Sequence, residues 1–359
     1  MPDLTWREGE VWFRPGGLLQ LRYTLDARSE LSGEEATSSN FSVPRVRLIL
    51  DGGLTSWLSF RVRAGVLSGG DARFEQAFSD VALSDHLTLR AGILFLPASI
   101  GDAPAPQDLQ SIDLSQYGLQ TSGGNAAAAG VRASFDRVRA QAYFSNGLRT
   151  GFSEFAAPVT ARVAVTARVE TRLLTADGFN RFDTESSFRG SDWALRLGVA
   201  AHYQQGRADG TLPDGDLQQY TADVTLEGSG FNVILTGRML RINPATGNTT
   251  NDPGLLVQAG VFVDERVELW ARYDALYSDG QVHSFPDDRS GLEDGYEAIG
   301  AGINGYLIPR TNMAKLQADF IYVPDPIAST WAQASDNSGV LQTESGSQWA
   351  LRLQLVLSY

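Results

Sequence analysis

The chain has 359 residues, of which 43% are hydrophobic, 20% charged and 10% aromatic, and its formal net charge at pH 7 is −13. Because it has no cysteine, it cannot form a disulfide, a thiolate nucleophile, a zinc–cysteine site or an iron–sulfur cluster. The acidic balance argues against nucleic acid as a partner, since nucleic-acid binding normally requires a basic face. Lys315 is the only lysine, so arginine carries nearly all of the positive charge.

Hydropathy leaves two classes of protein open. No apolar run approaches the ~18 residues of a transmembrane helix, and the mean hydropathy of −0.16 also suits a water-soluble protein. A membrane β-barrel gives a similar average, because only every second residue of each strand faces lipid. Residues 1–6 lack the basic and then apolar pattern of a signal peptide. If the protein is exported, we expect this sequence to be the mature form.

Strict alternation of apolar and polar residues is the clearest signal in the sequence. Every second residue from Trp349 to Tyr359 is leucine or aromatic, and Arg352 and Gln354 lie between them. This period of two predicts a strand with one apolar face. In chain order, the pattern predicts sixteen strands near 17–26, 43–51, 57–65, 74–84, 87–96, 127–135, 137–146, 158–173, 191–203, 218–228, 230–242, 254–263, 266–278, 296–307, 312–323 and 347–359. Residues 106–117 could add a short helix.

The connections between these strands alternate in length, as they do in outer-membrane barrels, where short periplasmic turns alternate with longer outer loops. The connection at 174–190 should be short by this register and is not. An even number of strands places both termini on the periplasmic side. The sequence therefore predicts an all-β, transmembrane antiparallel barrel at 17–359, preceded by a periplasmic lead-in at 1–16.

A soluble β-sandwich, jelly roll or propeller also alternates with a period of two. Three features favour the membrane barrel instead. The apolar set is uniformly aliphatic or aromatic, aromatic residues such as Trp57, Trp193 and Tyr203 fall near strand ends, and the chain ends within a strand at Tyr359. We therefore expect the outer membrane of a Gram-negative bacterium as the location.

Short motifs resemble those of the porin O/P family, which are sixteen-stranded outer-membrane porins. They are RVRL at 45–48 before a glycine turn, LRAG at 89–92 leading to Pro97, FSNG at 144–147, and LRLQL at 351–355 in the last strand. The resemblance covers most of the chain and implies a porin. It also implies a homotrimer and a terminal strand that the outer-membrane assembly machinery recognises.

The best-known members of that family are phosphate-selective, and this chain departs from them at one informative position. Phe95 stands where the family often has a lysine, two residues before the proline. With Lys315 as its only lysine, the chain cannot supply a lysine-rich vestibule for phosphate. The resemblance therefore leaves the arginine residues as the candidates for recognising an anion.

If the apolar face of each strand contacts lipid, the opposite face lines the lumen. In the first nine strands this predicted lumen face is strongly basic. Its pore-lining arginines are Arg22, Arg45, Arg47, Arg61, Arg63, Arg90, Arg132, Arg139, Arg162, Arg168, Arg172 and Arg196. Guanidinium groups stay charged at physiological pH and can replace part of the hydration shell of an anion. The alternative is that these arginines pair with carboxylates and only stabilise the lumen.

The residues at 97–126 form a long predicted loop after the fifth strand. The loop at this place in sixteen-stranded porins folds into the lumen, so we expect it to form the constriction. Asp108 and Asp113 would then face the arginine wall and create a transverse field. The alternative is an ordinary exposed loop.

These features predict passive diffusion of small anions or other small hydrophilic solutes through a water-filled channel. The alternative is a barrel scaffold that encloses or anchors a protein partner and conducts little. We expect no enzyme, cofactor or metal site, since His86, His202 and His283 share no predicted neighbourhood and no phosphate-binding glycine motif is present. Acidic loops would lie beside outer-membrane lipid and lipopolysaccharide, as solvated charge or as a site for divalent cations.

Overall fold

The computed structural model describes residues 4–29, 35–67, 72–100, 105–151, 161–174, 178–206, 215–245, 248–277, 295–325, 340 and 346–359. It is a closed antiparallel barrel of sixteen strands, which confirms the predicted fold class. A seventeenth, short strand pairs with the beginning of the first barrel strand. In these described residues, no helix is long and apolar enough to cross a membrane.

The short strand is β1 (Trp6–Glu8). The barrel strands are β2 (Val11–Ser29), β3 (Glu35–Gly53), β4 (Leu58–Leu67), β5 (Ala72–Ala82), β6 (Leu87–Phe95), β7 (Asn125–Ser134), β8 (Val138–Ser145), β9 (Val163–Leu173), β10 (Ala194–Gln205), β11 (Gly215–Gly228), β12 (Phe231–Pro244), β13 (Thr250–Phe262), β14 (Val267–Tyr277), β15 (Gly295–Tyr306), β16 (Ala314–Val323) and β17 (Gln348–Ser358). The barrel thus begins at Val11, inside the region predicted as a lead-in.

Each strand separates an outward apolar face from an inward polar face. In β17, the outward side chains of Leu351 and Leu353 are 38% and 47% exposed, whereas Arg352 and Gln354 are buried inside the barrel. The same alternation recurs in β10 and β11. Successive side chains of a strand point to opposite faces, so the sequence pattern alone produces this separation.

The barrel closes between its first and last strands. β17 pairs antiparallel with β2, with Gln354 opposite Arg22. At the end of this pairing, the Tyr359 amide donates to the Gly17 carbonyl at 2.9 Å, and the Gly17 amide donates to the Tyr359 carbonyl at 3.1 Å. Closure leaves no unpaired edge, as a membrane-spanning sheet requires.

Connections at one end of the barrel are tight. In the β3–β4 turn the Leu54 amide donates to the Leu58 carbonyl at 2.9 Å, and the β5–β6 turn repeats this arrangement. We call this end, which also contains the first and last described residues, Leu4 and Tyr359, the short-turn end. The β9–β10 connection lies at the same end but is long, as its sequence indicated, and it includes a 3-10 turn at Phe179–Asp183.

Candidate functional site

Residues 105–124 of the predicted loop lie against inward side chains of the barrel. It contains a 3-10 turn at Pro106–Asp108 and a helix, α1 (Gln116–Thr121), so only the ends of the predicted helical stretch are helical. The side chain of Ser115 caps α1 by accepting from the Gly118 amide at 2.8 Å. These two short elements place the residues between them against strands β12 to β17.

Gln110 is the central contact of this loop. Its Nε2 donates to Glu268 Oε1 at 2.6 Å and to Asn232 Oδ1 at 2.7 Å, and its Oε1 accepts from Gln258 Nε2 at 3.0 Å. A Cβ at Gly260 would lie 2.0 Å from Gln110 Nε2, so the glycine leaves the Gln110 side chain the space that it occupies against β13. The loop and that strand therefore fit together through one small residue.

Asp113 forms the most highly charged contact between the loop and the barrel. Its carboxylate lies 2.5 Å from Arg22, 2.8 Å from Arg45 and 3.4 Å from Arg352. The three guanidinium groups hold the pKa of this carboxyl below its ordinary value, although burial acts in the opposite direction. Asp113 therefore meets arginine, as the sequence predicted, and three guanidinium groups share its charge.

Asp108 has different surroundings from those predicted. Its carboxylate accepts from Asn312 Nδ2 at 3.0 Å, and the cation that acts on it is Lys315 rather than an arginine of the predicted wall. Burial raises the pKa of this carboxyl to about 6, and the Asn312 hydrogen bond acts against that rise. Asp108 lies close to the β15–β16 turn because the loop crosses the barrel toward the short-turn end.

The β9–β10 connection also folds inward and meets the loop. The Glu185 amide donates to the Asp108 carbonyl at 2.9 Å, and Glu185 Oε2 accepts from the Gln110 amide at 2.9 Å. Ser186 adds a hydrogen bond of 2.7 Å to the hydroxyl of Tyr306. The sequence marked this connection as too long but gave no sign that it enters the barrel.

An open cavity of about 670 Å³ remains on the side of β2 to β9. Among the described residues its wall has ten arginines and five carboxylates, together with aromatic rings such as Phe78 and Phe95. Eight of the twelve predicted pore-lining arginines are in this wall, namely Arg45, Arg47, Arg61, Arg63, Arg90, Arg132, Arg139 and Arg168. The long loop and the β9–β10 connection occupy the other side of the lumen, so the cavity is the candidate pathway for solutes.

The arginines of this wall share their carboxylate partners, some of which are buried and do not line the cavity themselves. Glu75 lies 2.7 Å from Arg47 and 3.0 Å from Arg63. Asp51 accepts from Arg61 at 2.6 Å and also pairs with Arg14. Because one negative charge serves two guanidinium groups, pairing leaves a net positive charge at each of these places.

A third shared carboxylate lies between β8 and β10. Glu170 lies 2.6 Å from Arg139, 3.1 Å from Arg168 and 3.6 Å from Arg196. Arg168 also reaches Asp223 at 2.7 Å, and a Cβ at Gly198 would lie only 2.4 Å from its Nη2. A glycine inside the strand thus makes room for this charge cluster.

Arg90 has a partner of its own. It faces Asp80 across the β5–β6 pair, with two hydrogen bonds of 2.6 Å, and stacks over the ring of Phe78 at 4.3 Å. Arg132 on the neighbouring strand forms no hydrogen bond or ion pair within the described part of the chain. Arg132 therefore presents a positive charge to the cavity without a direct hydrogen-bonding or ion-pair partner among the described residues.

Four predicted pore-lining arginines are absent from the cavity wall. Arg22 and Arg196 point inward but are covered, at 2% and 1% exposure, by the loop and by the β9–β10 connection. Arg172 pairs with Asp136 at 2.7 Å near the short-turn end. Arg162 precedes β9 and is exposed. Alternation located the inward face correctly, but it could not show which inward residues the inner segments cover.

No family model matches the chain, and no curated protein matches it. Solved structures do match over nearly the full length. The anion-selective porin of Comamonas acidovorans has a TM-score of 0.65 and 11% identity, over 98% of this chain and 100% of that one. OmpF of Salmonella typhi, in complex with daunomycin, has a TM-score of 0.62 and 10% identity, over 99% and 100%.

A third match is the outer-membrane expressed OmpT of Vibrio cholerae, with a TM-score of 0.61 and 12% identity, over 99% of this chain and 100% of that one. At such low identities these likenesses define the fold only. The fold is that of the outer-membrane β-barrel proteins of Gram-negative bacteria, in agreement with the location expected from the sequence.

Proposed function

We propose that this protein is an outer-membrane porin that lets small hydrophilic solutes diffuse passively and favours anions. The observation that carries the proposal is the sharing of carboxylates along the cavity wall. Where one carboxylate serves two or three arginines, each group keeps a positive charge beside the water-filled path. An anion passing at contact distance would be stabilised by that charge, whereas charges on outer loops are screened beyond ~8 Å at physiological salt.

The inner segments favour a channel over a protein scaffold. A barrel that encloses a partner protein needs an empty lumen, but here residues 105–124 and the β9–β10 connection occupy one side of it. The remaining cavity of about 670 Å³ lies within the ~300–1,000 Å³ range of small-molecule sites. Passage of small solutes, rather than catalysis or sheathing, is the function that this geometry supports best.

The test is a planar-bilayer measurement of reversal potential in a salt gradient. Replacing Arg61, Arg63 and Arg90 together by glutamine should shift selectivity toward cations, because three positive charges leave the cavity wall while a polar side chain remains at each position. The matched control replaces three exposed arginines at the short-turn end, Arg137, Arg189 and Arg266, by glutamine.

The control has the same change in net charge, so it should leave the reversal potential close to that of the wild type. Equal shifts in the two triple variants would mean that total charge, and not the cavity wall, sets the selectivity. An unchanged potential in the cavity variant would refute the proposal. Heat-modifiable mobility on gels verifies that each variant is folded.

We extend the proposal to membership of the porin O/P family, to a homotrimer and to contact with lipid and lipopolysaccharide. The motifs described above support the family. Small outward residues support the trimer, because they would allow two barrels to approach closely. Ala142 and Ala167 are exposed and paired across β8 and β9, and Ala140 is partly exposed. Ala161, expected on the same face, is buried. A solved OmpT structure of Vibrio cholerae that this chain resembles is described as a trimer form.

A further inference from the structure

The 3-10 turn in the β9–β10 connection, Phe179–Asp183, presents different residues to the barrel wall and to the cavity. Side chains three residues apart lie above one another in a 3-10 turn. Phe179 and Phe182 accordingly share one face and lie beneath arginines, with Arg139 4.9 Å and Arg196 5.1 Å from the ring centres. Asn180 and Asp183 share another face, and both of them line the open cavity.

The turn is held in place on several sides. Arg181, within it, forms an ion pair with Glu227 and also donates to the Asp192 carbonyl. Just beyond the turn, Glu185 and Ser186 bind the long loop and Tyr306 as described above. Asp183 therefore projects from a fixed backbone and not from a free loop tip.

Asp183 has no hydrogen bond or ion pair within the described part of the chain. The cations that act on it most strongly are Arg139 and Arg132, followed by Arg196. Arg139 is engaged with Glu170, whereas Arg132 likewise has no partner among the described residues. A carboxylate and a guanidinium group without direct partners thus border the same cavity.

We propose that Asp183 is a specificity-determining residue of this channel. It supplies the negative side of the lumen that the sequence had assigned to the long loop, with Arg132 as the positive side. The solutes that fit such a pair are small zwitterions, which present an anionic group to Arg132 and a cationic group to Asp183. This inference rests on the proposed function as a channel and assigns its solute class.

The test compares Asp183→Asn with Asp192→Asn in bilayers and in liposome swelling. Asp192 belongs to the same connection but is exposed, so it is the matched control. Asp183→Asn should raise the anion-to-cation permeability ratio about threefold. In water with physiological salt, one unit charge roughly 6 Å from the ion has an effect of this size, because it acts with opposite sign on the anion and on the cation. It should also lower the swelling rate with glycine relative to glycolate, while Asp192→Asn changes neither quantity.

Identical behaviour of the two variants in both assays overturns the inference. If Asp183→Asn does not assemble, Asn180→Asp adds a carboxylate to the same face and must lower the permeability ratio; an unchanged ratio then refutes the assignment. Failure of the proposed function has a different signature. In that case the wild type has no anion preference, and the triple arginine variant has the same reversal potential as the wild type. The effect of Asp183 is measured separately, by comparing Asp183→Asn with Asp192→Asn.

Discussion

Gly260 provides a sharp test of whether the long loop is anchored inside the barrel. An added methyl group at this position would lie 2.0 Å from Gln110 Nε2 and 2.6 Å from Asn232 Oδ1. Real Cβ atoms do not approach other atoms so closely, so Gly260→Ala must displace the Gln110 side chain. Its hydrogen bonds to Glu268, Asn232 and Gln258 would then be lost or distorted.

The size of the effect follows from those bonds. A hydrogen bond to a carboxylate contributes about 1.5–3 kcal/mol and a neutral one about 0.5–1.5 kcal/mol. Water in the lumen can replace part of this energy, so we expect Gly260→Ala to weaken loop attachment by about 3 kcal/mol. That is more than a hundredfold in the ratio of attached to detached loop. We expect higher single-channel conductance with more open-state noise.

The matched control is Gly237→Ala. Gly237 is also a strand glycine, but the nearest neighbour of an added Cβ there is 3.9 Å away. This variant should conduct like the wild type. If Gly260→Ala has wild-type conductance and noise in a folded barrel, the hydrogen bonds of Gln110 do not hold the loop, and the role of Gln110 as an anchor must be abandoned.

Three further predictions concern stability and assembly. Gly198→Val should lower the thermal unfolding temperature of the barrel in detergent, because its Cβ would meet Arg168 and Asp223 within 2.4–2.7 Å; an unchanged temperature would contradict the described packing. Truncation after Leu353 removes the last pairs between β17 and β2 and should abolish heat-modifiable, folded protein. Crosslinking in mild detergent should give a species of three chains, and a monomer alone would refute the trimer.

The barrel could be predicted from the local pattern of the sequence. Alternation is a local property, since neighbouring residues of a strand point to opposite faces whatever their partners are. Residues 349–359 therefore revealed their outward and inward faces without knowledge of β2 or β16. Loop lengths indicated which end has the tight turns. The same reasoning placed Arg61, Arg63 and Arg90 inside the barrel, where the structure has them in the cavity wall.

The contacts of each inward residue, in contrast, depend on how distant parts of the chain come together. The ion pair of Arg352 with Asp113 joins positions 239 residues apart, so it depends on barrel closure and on the path of the loop together. The glycines at 198 and 260 were signals that the sequence contained, because an inward glycine in a strand often marks a close approach. Their partners, Arg168 and Gln110, follow only from strand register and from the inward course of the long loop.

The β9–β10 connection shows the same limit most clearly. Its length at 174–190 broke the pattern of short turns, but length does not tell whether a connection folds outward or inward. The direction is decided by contacts with distant residues, including Gln110, Glu227 and Tyr306. The sequence placed the acidic side of the channel on the long loop, at Asp108 and Asp113, whereas the role that we propose for Asp183 could be inferred only from the folded barrel.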